Sequence, residues 1–337
     1  MSAVWPTLVF DIGGTNVRGA LCDDASPRLV RTLRRPTPNF LSHPKADANS
    51  LIEATLAELV AITRELAEDR APGAIVVGWP GPIAPDGTVL RSPTVLGPAH
   101  DRPVAVGRLL ASIWPRARIA VLNDLTCAGY AYVGLGYRDF CIFTVGSGIA
   151  NKVFVDARPI LGPGGRGGEA GHLVAHFGPD CPAGLVPPES HLGDVASGRG
   201  TLALGRALAQ QDPRAFAHSA LAAEGPQFAN EALVAAFHGG DRFARRIVRL
   251  AAQALGHAIA SVHAIVGSER IVLTGGFATA LGEKYRALLV ERARQCTWEV
   301  GQDWDAMIEL GQEVDGLAGA AVYARRELLG GVLSNVA

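Results

Sequence analysis

Lysine is nearly missing from this chain of 337 residues. Of its 31 basic side chains only Lys45, Lys152 and Lys284 are lysines, and the rest are arginines. An excess of charge of one sign is also missing. The 31 basic and 32 acidic residues leave a formal net charge of −1, which excludes an electrostatic case for nucleic acid or for an anionic membrane surface. No apolar run approaches the ~20 residues that a membrane-spanning helix requires. Met1 to Pro6 lead straight into a short apolar run, so no signal peptide is expected. Cysteine is sparse and odd in number, at positions 22, 127, 141, 181 and 296, with no paired spacing. Reduced thiols in a cytoplasmic setting are therefore expected, not a disulfide framework. There is no heptad repeat and no linker of low complexity. What is present is 48% apolar and 19% charged, an ordinary globular composition on a chain long enough for two domains.

The stretch that organises the rest is Leu8 to Leu21. Leu8, Val9 and Phe10 read as a strand buried on both faces. Asp11 stands at its end, then Gly13-Gly14-Thr15-Asn16, then a returning strand from Val17 to Leu21. Two glycines let the backbone turn tightly and bring bare N–H groups up to a phosphate. Thr15 and Asn16 add side-chain donors, and Asp11 could hold a hydrated Mg²⁺. No Gly-Lys-Ser/Thr follows and there is no G-x-G-x-x-G, so neither common phosphate loop is present. A plain hairpin turn preceded by an aspartate is the alternative.

Further along, Ser50 to Leu66 has the spacing of an amphipathic helix, closed by Pro72-Gly73, and Ala74 to Val77 reads as a short buried strand. The Gly- and Pro-rich loop that follows, to about His100, either lines a site or only connects elements. Arg118 to Leu122 reads as a strand that meets a helix from Leu125 to Val133 at Asn123-Asp124. A carboxylate there lies at the ligand-binding edge of an α/β sheet, yet Asp124 could equally cap the helix. Phe140 to Val145, Gly146-Ser147-Gly148 and a strand near Lys152 to Val155 repeat the opening plan. The glycine-rich run Gly162 to Gly171, with His172 behind it, reads as a loop presenting Glu169 and His172 to a ligand. Helices are expected at Thr201 to Gln210, Glu231 to Phe237 and Arg242 to Val266. Ile271 to Leu273 forms a strand ending in Thr274-Gly275-Gly276, and a last helical region runs from Gly316 to Leu328.

Taken in order, these stretches resemble the sugar kinases of the ROK family, over most of the chain from Leu8 to Ala324. DIGGTN resembles the family's first phosphate loop, VLNDLTCAG its first connecting motif and TVGSGIANKVFVDARPILG its second phosphate loop. GGEAGH resembles the sugar-binding Glu-x-Gly-His, IVLTGG the adenosine loop and DGLAGAAVYA the C-terminal connecting helix. The resemblance implies an α/β, two-lobed actin-like ATPase fold of the ribonuclease H-like type, with the active site in the interdomain cleft. A first lobe would span 1–123, with a helix at about 313–330 packing back on it, and a larger second lobe would span 124–312. It further implies ATP and Mg²⁺, with Asp124 as general base on the acceptor hydroxyl and Asn123, Glu169 and His172 on the ring hydroxyls. Asp11, Gly13, Gly14, Thr15, Asn16, Gly146, Ser147 and Gly148 would surround the phosphates, and Gly275 and Gly276 would lie under the adenosine. The partner is a small-molecule sugar or cyclitol, with neither nucleic acid nor membrane, and a homodimer is compatible with the resemblance.

The departures from the family concern one wall of the site. Its Cys-x-Cys-Gly-x-x-Gly-Cys zinc knuckle is replaced by CPAGLVPPESHLGDVASG, in which only Cys181 survives. Zinc needs about four ligands, so no metal site is expected. The family's second sugar-binding glutamate is displaced, with Glu189 and Asp194 as substitutes, and Pro93-Thr94 stands where Pro-Asn is usual. That wall would meet the anomeric end of a hexose. The expected activity is therefore phosphorylation of a primary hydroxyl on a sugar-like ring, with a C7-cyclitol of a natural-product pathway foremost. Glucose and a kanosamine-type amino sugar are the alternatives. A non-catalytic sugar-responsive regulator of the same family is disfavoured by the intact Asp124 and DIGGTN.

Overall fold

The computed structural model describes residues 5–23, 25–311 and 316–330. Strand β1 (Thr7–Ile12) turns into β2 (Asn16–Cys22) and then β3 (Leu29–Pro36). Helix α1 (Ala48–Ala67) leads into β4 (Ala74–Trp79), followed by α2 (Pro93–Leu96), α3 (Val106–Ile113), β5 (Arg118–Asn123) and α4 (Asp124–Gly134). These strands form one sheet in the order β3-β2-β1-β4-β5, with β1 antiparallel to β2 and parallel to β4. Along β1 the side chains alternate between two cores, as a strand period of two requires. Leu8, Phe10 and Ile12 enter the core that α1 closes, while Val9 enters the opposite one.

Helix α1 buries Leu51, Ile52, Leu59, Ile62 and Leu66 against β2 and β3, each contributing about 1.5–3 kcal/mol relative to exposure. Asp47 caps its start by accepting from Ser50 N at 2.8 Å. Its end differs from the sequence expectation, because the helix stops at Glu68 and Asp69 in left-handed backbone, φ 52° and 61°, before Pro72-Gly73 is reached.

The second part of the chain contains β6 (Phe140–Val145), β7 (Ile149–Val155), the two-residue β8 (Arg158–Pro159), α5 (Leu192–Ala196), α6 (Gly198–Gln211) and α7 (Pro213–Ala217). It continues with α8 (Asn230–Gly239), α9 (Arg242–Val266), β9 (Ile271–Thr274), α10 (Gly276–Cys296), α11 (Trp304–Met307) and β10 (Ile308–Leu310). Its sheet has the order β10-β9-β6-β7-β8, with β6 antiparallel to β7 and parallel to β9. One face buries Cys141, Phe143, Val145, Ile271 and Leu273 beneath α6, α9 and α10. The last described helix, α12 (Gly316–Tyr323), runs into a π-helical turn at Ala324–Leu328 and packs on α4, β1 and β4.

The chain forms two compact units. The first holds the described residues up to Arg138, Ala157–Gly167 and α12 with its turn, and the second holds Asp139–Asp156 and Gly168 to Gly311. This partition does not fall at Asn123/Asp124. Helix α4 stays with the first unit because it packs along α12, and residues 313–315 of the expected return helix lie outside the described residues. Among the described residues no helix is long and apolar enough to cross a membrane.

Candidate active site

The first glycine turn joins β1 to β2, closed by Gly13 N donating to Asn16 O at 2.9 Å. Its carbonyls are tied on one side. Thr37 Oγ1 donates to Gly13 O (2.7 Å), Asn39 Nδ2 to Gly14 O (2.6 Å) and Thr37 N to Thr15 O (2.9 Å). In a trans peptide the N–H points opposite to the C=O. The N–H groups of Gly14, Thr15 and Asn16 therefore face away from Thr37 and Asn39. A Cβ on Gly14 would stand 2.7 Å from the Thr94 methyl, so α2 holds the turn to glycine.

The second turn repeats this construction. Gly146 N donates to Gly148 O, Gly198 N to Gly146 O (2.7 Å) and Arg199 Nε to Ser147 O (2.8 Å). The N–H groups of Ser147 and Gly148 consequently point away from the start of α6, which Ser197 caps by accepting from Gly200 N. At the end of β9, Gly275 has φ +93°, and a Cβ there would stand 2.7 Å from Val145 O. Only glycine lets β9 pass so close to the end of β6, and Gly276 then opens α10.

Asp11 accepts from Arg18 Nη2 (2.5 Å) and Nε (3.2 Å), its antiparallel register partner on β2. The start of α12 closes over it, since a Cβ on Gly316 would lie 3.1 Å from Asp11 Oδ1. At the end of β5, Asn123 and not Asp124 is the cap. Asn123 Oδ1 accepts from Leu125 N and Thr126 N, while Nδ2 donates to Gly81 O (2.9 Å) and Asp124 Oδ1 (2.8 Å). Asp124 is the first residue of α4, and its Oδ1 also accepts from Leu125 N at 2.8 Å. With two acceptor and two donor bonds made, the Asn123 amide is filled. Cys127, one turn into α4, is fully buried, and its thiol is pushed well up by that burial and then by the charges of Asp11 and Asp124. The first unit thus gathers both carboxylates around one helix start.

In the second unit Glu169 precedes a 3-10 turn, Ala170–His172. Lys152 Nζ on β7 lies 3.5 Å from Glu169 Oε1. Residues 173–175 pair with 190–192, through Ala175 N to Ser190 O and Leu192 N to Leu173 O, which brings the His191 ring edge-on to His172 at 5.6 Å. Asp194 is occupied locally, because its Oδ2 accepts from His191 N in the cap of α5. Glu189 is exposed. Among the described residues no three His, Cys, Asp or Glu side chains stand together so as to hold a metal ion.

Sequence reasoning missed Thr37, Asn39, Arg199 and Lys152. Thr37 and Asn39 are buried polar residues in PTPNF, and their partners are carbonyls, which carry no sequence signal. Lys152 could have been found, as an isolated lysine inside an apolar strand of a chain that uses arginine for nearly all of its basic side chains.

Among curated proteins the chain is similar to a C(7)-cyclitol 7-kinase of Streptomyces hygroscopicus subsp. limoneus, 36% identical over 306 residues, covering 86% of this chain and 85% of that protein. Among solved structures it is similar to a ROK hexokinase from Thermus thermophilus, with a TM-score of 0.71 and 26% identity over 97% of this chain and 100% of that one. It also shares the fold of a ROK family glucokinase from Streptomyces griseus in complex with glucose and AMPPNP, with a TM-score of 0.66 and 21% identity over 96% and 100% of the two chains. The ROK family model matches residues 7–327, and with the two glycine turns, the Asn123-Asp124 pair and Glu169-x-x-His172 built as described, the chain belongs to the ROK family.

Proposed function

We propose that this protein is an ATP-dependent kinase that phosphorylates an exocyclic primary hydroxyl of a ring-shaped polyol, a C7-cyclitol before glucose or an amino sugar. The observation that carries the reading is the Asp124 carboxylate, fixed at the start of α4 by Asn123 Nδ2 and Leu125 N. A primary alcohol is a poor nucleophile at neutral pH, and a positioned carboxylate supplies general-base help. Asp124 takes the hydroxyl proton as that oxygen bonds to the γ-phosphorus and ADP departs. Asn123 orients Asp124 and is not itself a ring contact, because its amide is already filled.

The donors of Gly14, Thr15, Asn16, Ser147 and Gly148 suit the phosphates of ATP, since phosphoryl transfer depends mainly on positioning and charge neutralisation. Mg²⁺ bound with ATP would spread the phosphate charge, and Asp11 is the carboxylate suited to meet it through water. Glu169 and His172 receive ring hydroxyls. The substrate preference is supported by the rebuilt stretch from Cys181 to Gly198 and by the 36% identity to a C(7)-cyclitol 7-kinase. ATP as donor and five free cysteines suit a cytoplasmic setting.

The test is kcat/KM with ATP and Mg²⁺ for a valienol-type cyclitol, glucose and an aminoglucose under one set of conditions. The cyclitol is expected to lead. Turnover of none of them removes the kinase reading, and glucose ahead by tenfold or more restores a plain glucokinase.

A further inference from the structure

Lys152 is the one charged side chain in the interior of β7, with 4% of its side chain exposed. A buried ammonium is costly unless it faces an opposite charge. It faces the carboxylate of Glu169 at 3.5 Å, whose own side chain is 42% exposed. The pair is thus asymmetric, with a cation inside the unit and an anion at its surface, where a ligand can reach it.

The backbone around the pair is built to keep this arrangement. Asn151 N donates to Gly168 O (3.3 Å) and Asn151 Oδ1 accepts from Ala170 N (2.9 Å), so the residues before and after Glu169 are both tied to the strand that carries Lys152. Gly168 has φ +71°, and a Cβ there would press into Asn151 O and stand 3.1 Å from Lys152 Nζ. No larger residue fits between the lysine and the loop.

We infer that Lys152 is a positioning residue that holds Glu169 as an acceptor for ring hydroxyls and biases the site against rings bearing a protonated amine at that position. The inference rests on the reading of Glu169 as a substrate contact. A carboxylate anchored at one oxygen by an ammonium presents its remaining lone pairs in a fixed direction, which suits neutral O–H donors. A protonated amine beside Glu169 meets the Lys152 charge a few ångströms behind it, a like-charge contact weakly screened by the surrounding protein.

The experiment uses the full-length protein with ATP and Mg²⁺ and compares wild type with Lys152→Met, Lys152→Arg and Glu169→Gln. Acceptors are a valienol-type cyclitol, glucose and its 2-amino and 3-amino derivatives. Lys152→Met should raise KM for the neutral acceptors about tenfold with kcat within about threefold, and should raise the amino-to-neutral ratio of kcat/KM about tenfold. Lys152→Arg keeps the charge and should leave that ratio near wild type.

If Glu169→Gln raises KM while Lys152→Met changes neither KM nor the ratio, the role of Lys152 is overturned and the reading of Glu169 stands. If Glu169→Gln leaves KM for every acceptor unchanged, it is the Glu169 reading that falls. A Lys152→Met protein that melts early, together with a Lys152→Arg protein whose ratio has shifted, would make Lys152 a purely structural residue and overturn the proposal.

Discussion

Thr37 and Asn39 are buried, and their donors end on the carbonyls of the first glycine turn. Replacing Asn39 by leucine leaves the Gly14 carbonyl without that donor and lets the peptide rotate. The expected result is a KM for ATP raised about tenfold, with a stability loss of about 1–3 kcal/mol from the broken buried bond. Steady-state kinetics and a denaturant melt check both. Asp124→Asn separates fold from chemistry in a different way. Asn123 is the cap, and an asparagine at 124 can still accept from Leu125 N, so melting should be unchanged apart from a few tenths of a kcal/mol in helix-dipole energy. Loss of the base should lower kcat by about 10²–10⁴-fold. A variant with near-normal kcat would leave Asp124 no role beyond the first turn of α4.

Helices α4 and α12 approach each other through small residues, and two of them set the spacing. A Cβ on Gly319 would overlap the Cys127 carbonyl oxygen, and one on Gly134 would lie 2.8 Å from a Val322 methyl. The Cys127 oxygen is backbone and cannot swing aside. Gly319→Val should therefore cost about 3 kcal/mol or more and push the helices apart, measured as a lower midpoint in urea with α4 losing hydrogen-exchange protection first. Whether an element was legible in the sequence follows from such local chemistry. Arg242–Val266 was legible at both ends, because Asp241 caps it and Gly267 ends it at φ +72°. Helix α10 was not, because it opens on Gly276 and is interrupted by Gly282 at φ +64°, which erases a continuous period. Strand β3 was missed because Arg31, Arg34 and Arg35 give it a polar look, as befits an edge strand. The glycine turns of the site were legible as motifs, but the residues that orient them were not, since a donor to a carbonyl forms no pattern along the chain.

At the scale of the whole molecule the five cysteines divide into two groups. Burial raises the Cys22 and Cys141 thiols to about 12 and Cys127 well above its ordinary value, while Cys181 and Cys296 are partly exposed and also raised. Labelling of the native protein at pH 8 should modify at most two cysteines quickly, with the other three reacting only on unfolding. Quantification by mass spectrometry checks this. A thiol whose folded value is raised contributes its full stability below the ordinary thiol value of 9.0, where folded and unfolded forms both keep the proton. That contribution is lost as pH climbs from about 9 toward 12, so the urea midpoint should fall across that alkaline window. The two sheets share one plan, β3-β2-β1-β4-β5 and β8-β7-β6-β9-β10, each with a glycine turn between an antiparallel pair that leads it. In both, the turn's carbonyls are tethered to the chain behind them. Those tethers fix a sign. A turn whose peptides could flip would offer oxygens to cations in one state and hydrogens to anions in the other. Here the first option is closed, so a metal arriving at these turns would find its oxygen ligands on side chains, on water or on the nucleotide it accompanies, and not on the tethered carbonyls.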